Sequence, residues 1–263
     1  MVRGLDLFRA HFAPHAGGFV LIGGAACHEW FAVRGLTFRA TKDLDIVLII
    51  EAIDAAFIAD MRRFVADGGY VVKEHADGCP ELYRFSRPQD PNYPYMLELF
   101  SRKPDTLDLR DDQTVVPIHA TGSNASLSAI LLDDAYYALL RAHSVVNAGI
   151  PVATATVLIP LKARAWLDLS QRRAEGGRVD QRDVDKHRTD VFRLAATLAG
   201  QAEPEVPDGV RADLLRFLSA FPEDATEWVG ILVGLQVTFG RQTFTPRALR
   251  DAVRGFFRLD AAR

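Results

Sequence analysis

Cysteine is scarce. The 263 residues hold two, Cys27 and Cys79, which form no disulfide framework and carry no zinc-type spacing. Such usage fits a reducing cytoplasm. Long apolar runs are missing as well, and none approaches the roughly 20 residues that cross a bilayer. The opening residues MVRGLDLFRAHFAPHAGG lack the apolar stretch and small-residue cleavage site of a secretory signal, so no export and no membrane partner are expected. Neither sign of charge dominates. A formal net charge of −3 argues against coating nucleic acid through bulk charge, and leaves a local basic surface open. No Gly-x-Ser-x-Gly and no Cys/His pattern supports nucleophilic catalysis. Repeats and low-complexity tracts are absent too.

What remains is the profile of an ordinary globular protein, 49% hydrophobic and 25% charged. The first 120 or so residues alternate β-rich runs with helical spacing. FVLI (19–22), DIVLII (45–50), YVVKE (70–74), ELYRFS (81–86), YMLELF (95–100) and TVVPIH (114–119) predict strands. Residues 25–35 and 53–67 carry apolar side chains at helical intervals, as in Ile53, Phe57, Met61, Phe64 and Val65. After TGSNAS (121–126) the pattern turns helical, with segments expected at about 126–146, 155–173, 181–199, 207–220, 223–237 and 246–258. The expected architecture is therefore an α/β mixed-sheet domain, residues 1–121, followed by an all-helical domain, residues 122–263.

Two stretches carry chemistry. In FVLI-Gly23-Gly24-AACHEW an apolar strand runs through Gly-Gly into a helix. Glycine lets a phosphate approach the free N–H groups of a helix N-terminus, though tight strand-to-helix turns use the same pair for steric reasons alone. In TKDLDIVLII, Asp43 and Asp45 share one strand face while Leu44 points the other way. Paired carboxylates repel unless a cation lies between them, and magnesium commonly joins carboxylates to substrate phosphates. A solvated strand edge is the other reading. A third acid, Glu98, lies in YMLELF between Leu97 and Leu99, on the face of Met96 and Phe100. It calls for a cation, a hydrogen-bond partner or an outlet to solvent. His75, Asp77 and Cys79 alternate within one turn but lack the further ligands of a metal site.

Strand, Gly-Gly, helix and then T-K-D-L-D-I on a second strand resemble the polymerase-β-like nucleotidyltransferase fold. With GGAA, RATKDLDI (39–46), YMLELFSRK (95–103), a lysine-bearing helix and KHRTDVFRL (186–194), the chain is similar to the AbiEii/AbiGii-type nucleotidyltransferase toxins. The resemblance spans about residues 20–195. It implies an NTP substrate held by Gly23 and Gly24, and Mg2+ held by the catalytic acids Asp43, Asp45 and Glu98. It also implies nucleotide contacts from Lys162 and Asp190, an RNA or tRNA acceptor, and a cognate antitoxin. Many members carry Gly-Ser where this chain has Gly23-Gly24-Ala25-Ala26, which removes one phosphate contact and leaves the backbone amides to hold the nucleotide. Arg193 stands where the family's last motif has a second Asp.

Two of these residues keep a second reading. The stem of Lys162 could instead lie over Trp166, and Asp190 could belong to a surface ion-pair cluster with Lys186 and Arg193. Nine Lys or Arg against six acids between Lys162 and Arg193, and Arg247, Arg250, Arg254 and Arg258 at helical spacing, are either phosphate-tracking stripes or solvated faces. The same fold also serves transfer to a small molecule or protein hydroxyl, or non-catalytic nucleotide binding.

Overall fold

The computed structural model describes residues 2–74, 80–105, 115–119 and 126–260. The chain forms two compact units, Met1–Glu29 with Ala40–Ala153 and Trp30–Arg39 with Thr154–Arg263.

Among the described residues of the first unit nine strands make one mixed sheet. They are β1 (Phe19–Ile22), β2 (Asp43–Leu48), β3 (Val71–Glu74), β4 (Pro80–Ser86), β5 (Met96–Ser101), β6 (Val115–His119), β7 (Ser126–Leu131), β8 (Ser144–Asn147) and β9 (Ile150–Ala153). Their order is β3-β4-β5-β2-β1-β9-β8, with β7 pairing to β5 and β6 to β7. β1 runs antiparallel to β2, and β2 parallel to β5. All four residues of β1 are buried, as a central strand requires. On β2 and β5 alternate residues are hidden. Leu44, Ile46, Leu97 and Leu99 are fully buried, so Asp43, Asp45 and Glu98 project from the opposite face.

Helices α1 (Leu5–Phe12), α2 (Gly23–Ala32), α3 (Ala55–Asp67) and α4 (Asp134–Ala142) accompany the sheet. Asp54 starts α3 by accepting the Phe57 N–H at 2.8 Å. The buried face of α3 meets α1 in an aromatic cluster, with ring centroids 5.6 Å apart for Phe8–Phe64, 5.5 Å for Phe12–Phe64 and 5.8 Å for Phe12–Phe57. The second unit contains α5 (Ala155–Ala174), α6 (Gln181–Ala195), α7 (Asp208–Ser219), α8 (Trp228–Phe239) and α9 (Pro246–Phe256). Phe192 is its centre, 4.5 Å from Trp228 and 5.5 Å from Phe217.

A mixed α/β sheet followed by helices is the class the pattern predicted. Residues 126–146 differ from the helix expected there. Ser126–Leu131 is strand β7, only 134–142 is helical, and β8 opens a hairpin. That hairpin turns at Ala148 (φ 46°) and Gly149 (φ 82°), two consecutive left-handed residues that match the twist of an antiparallel pair. Helix α1 was also not anticipated. No helix among the described residues is long and apolar enough to cross a membrane.

The aromatic cluster sets an expectation for stability. Phe64→Ala should cost about 3–5 kcal/mol, because the void has rigid neighbours. Val146→Ala, on exposed β8, should stay within about 0.5 kcal/mol. Urea unfolding of both variants checks this.

Candidate functional site

At the end of β1 the chain turns directly into α2, and Gly23 makes the turn with φ 63°. A Cβ built there would overlap the carboxylate oxygen Oδ2 of Asp45. A Cβ on Gly24 would come within 2.6 Å of the Thr41 hydroxyl. Gly23 is therefore required by its left-handed backbone and by the carboxylate on the facing strand, whereas a side chain at Gly24 would need Thr41 to move. The pairing Ile22↔Asp45 brings that aspartate beside the first turn of α2, where four backbone N–H groups have no partner within the helix. The partial positive charge of that helix end favours an anion.

The same level of the sheet continues outward. Asp45 pairs with Glu98 on β5, and Glu98 with Arg84 on β4. Arg84 donates from both Nε and Nη2 to Glu98 Oε1. The hydrogen-bond partner that Glu98 calls for is thus a cross-strand arginine. Its signal in the sequence is faint: an arginine between Tyr83 and Phe85 in ELYRFS. The structure brings together Gly23, Gly24, Asp43, Asp45 and Glu98 within the first unit, and adds Thr41 and Arg84.

The carboxylates suit a hard divalent cation only in part. Asp43 and Asp45 offer oxygen donors from one strand face, and magnesium is commonly held by one or two carboxylates together with substrate phosphates. Among the described residues, however, no group of three or more His, Cys, Asp or Glu could by itself hold a metal ion. Glu98 is turned to Arg84. The residues fit a cation shared with a phosphate ligand rather than a protein-only cage. His75, Asp77 and Cys79 lie outside the described residues.

The second unit contains the other two expected residues, and they are in contact. Asp190 on α6 is 0% exposed, and Lys162 on α5 is 5% exposed. Lys162 Nζ lies 3.5 Å from Asp190 Oδ2. Arg39 donates to the same oxygen from Nη2 at 2.8 Å and from Nε at 3.2 Å, while Arg193 donates to Oδ1. Burial alone would raise the Asp190 pKa. Lys162, Arg39 and Arg193 outweigh it and hold the carboxyl below its ordinary range. The ion-pair reading of Asp190 holds in part, since Asp190 does pair with Arg193, although in the interior rather than at the surface. Lys162 is ion-paired, Trp166 packs on Phe217 and Phe221, and Lys186 pairs with Asp183 instead. Arg39 had been visible only as part of RATKDLDI, because its partner lies 151 residues away.

One turn before Asp190, His187 is driven from 6.5 to about 3 by burial, then by the positive charges of Lys162 and Lys186. The terminal arginine row is largely spoken for within the unit. Arg250 bonds to the Leu218 and Phe221 carbonyls, Arg254 pairs with Asp260, and Arg258 with Glu203. Arg247 reaches Asp251 at 3.6 Å.

No family model and no curated protein matches the chain. Among solved structures, the crystal structure of JHP933 from Helicobacter pylori is similar over 97% of this chain and 90% of that one, at 13% identity and a TM-score of 0.43. An H. pylori chain described as a "putative nucleotidyltransferase" is similar over 97% of this chain and 93% of its own, at 14% identity and a TM-score of 0.38. At such scores the likeness carries no argument, and the site stands on its own residues.

Two outcomes are expected. Gly23→Ala should lose at least about 1–2 kcal/mol from its left-handed backbone alone, with Gly17→Ala, which has open space, as the near-neutral control in urea unfolding. For His187, the folded pKa lies below the unfolded one, so the unfolded chain takes up the proton first as pH falls. Stability should therefore drop by about 1.6 kcal/mol between pH 6.5 and 5. His187→Gln should flatten that interval of the pH profile.

Proposed function

We propose that this chain is a nucleotidyltransferase of the polymerase-β-like type, moving a nucleoside monophosphate from an NTP to an acceptor hydroxyl. The observation that carries this is the placement of the Asp45 carboxylate over Gly23 at the start of α2, with Glu98 on the adjoining strand. A phosphate-accepting helix end and paired acids then share one place.

In this reading the acceptor oxygen bonds to the α-phosphorus, and the bond to the bridging oxygen breaks. Pyrophosphate leaves with that electron pair. The α2 amides, exposed by glycine, hold triphosphate oxygens. Asp43 and Asp45 would hold Mg2+, which when bound supplies charge neutralisation and a more acidic acceptor hydroxyl. Glu98, oriented by Arg84, would take up the hydroxyl proton. Lys162 and Asp190 pair with each other in the second unit, and nucleotide contacts from both are what the family resemblance implies. The chain's share is positioning and electrostatics, without a covalent intermediate.

RNA, including tRNA, is the acceptor we favour. Support comes from Arg172, Arg173, Arg178 and Arg182, all exposed at the end of α5, the turn after it and the first turn of α6. No ion pair among the described residues engages them, unlike the α9 row. A toxin restrained by a cognate antitoxin in the cytoplasm is the biological setting this proposal includes. Transfer to a small molecule or protein, and nucleotide binding without catalysis, are the rival outcomes.

Purified protein incubated with magnesium, total RNA and each α-labelled NTP should transfer label to RNA, and Asp43→Ala/Asp45→Ala should abolish it. Replacing the four arginines with alanine should weaken RNA binding and flatten its salt dependence while leaving nucleotide binding intact. Label on no acceptor, alongside nucleotide binding that survives loss of the three acids, would sink the enzyme reading.

A further inference from the structure

Helix α8, WVGILVGLQVTF, has no Asp, Glu, Lys or Arg in its twelve residues. A surface helix normally hides one apolar stripe and shows a polar one. Here Trp228, Ile231 and Leu235 are buried, and yet three valines stand on the outer face, with Gln236 its one exposed polar side chain. Val229, Val233 and Val237 are 74%, 58% and 74% exposed. At i, i+4 and i+8 they form a single ridge. Helices apolar all round belong in an interior, so the ridge calls for a cover.

The charges at its two ends say what kind. Exposed Glu223 and Asp224 lie in the turn before α8, and exposed Arg241 lies just after it. A second α8 laid antiparallel would bring Arg241 against Glu223 and Asp224 at both ends, whereas a parallel one would set like charges together. Antiparallel pairing about a two-fold axis is also the self-complementary arrangement most common in homo-oligomers.

We infer that α8 is the two-fold interface of a homodimer, its valine ridge packed antiparallel on the same ridge of a second copy. Val233 lies at the axis and meets itself. Val229 of one copy meets Val237 of the other. Gly230 is exposed, with open space where a Cβ would be, and it receives Gln236 of the second copy. One helix face is at the small end of specific interfaces, so the dimer is a weak one.

The full chain, carrying Cys79→Ser to leave only buried Cys27, provides the test. Val233→Cys should form a disulfide-linked dimer on mild oxidation. Val229→Cys and Val237→Cys should each stay free of disulfide cross-links alone, since eight residues of offset separate like positions by about 12 Å, beyond disulfide reach. Mixed together, those two should cross-link. Val233→Glu should shift the unmodified chain from dimer to monomer in sedimentation, with an unchanged circular dichroism spectrum. The inference is overturned by a monomer that persists to about 200 µM, a concentration at which a contact worth 5–6 kcal/mol would be populated. It is equally overturned if Val233→Glu remains dimeric, or if all three single cysteines cross-link alike. A ridge covered by a different protein would show as the first of these.

Discussion

Asp45 keeps its carboxylate in the volume that a side chain on Gly23 would fill, and the polar face of the first unit is organised around that contact. From it a line of pairings runs across the sheet, from Ile22 to Asp45, Glu98 and Arg84. On the opposite face Leu44, Ile46, Leu97 and Leu99 are fully buried, and a slip of one residue would send acids into that core. The hydrophobic side therefore specifies where the carboxylates stand.

The second unit solves a harder electrostatic problem. A carboxylate with no exposure is costly unless its charge is answered at short range. Asp190 is answered from three directions, and the groups come from distant parts of the chain: Arg39, Lys162 and, one turn on, Arg193. Each cation is oriented in return. Such a cluster contributes little net stability compared with apolar packing of equal volume, but it ties the segment Trp30–Arg39 to α6 and points Lys162 in a defined direction.

Both units share a division between what local pattern reveals and what it hides. The early strands were legible from their β-rich composition, and helices α2, α3 and α5 to α9 from their helical spacing. The β7–β9 region was not. SLSAIL is short and fits helical spacing as well as strand, and the hairpin turn at Ala148-Gly149 has only one glycine where such turns often show Asn-Gly. The pairing of the glycines with the aspartates was legible as a motif. Arg84 and Arg39 were not, since an arginine does not announce which distant acid it will meet.

By itself the sequence determined the alternation of the sheet, its helical continuation, and the side of β2 and β5 on which the acids stand, because periodicity of two or 3.6 is a local property. Only the tertiary structure decided that Glu98 is held by Arg84, that Asp190 is a buried centre rather than a surface ion pair, and that α8 shows a valine ridge to solvent. Those outcomes depend on which residues remote in the chain come within a few ångströms of one another. Burial then sets the strength of each charge, and no spacing along the chain encodes it.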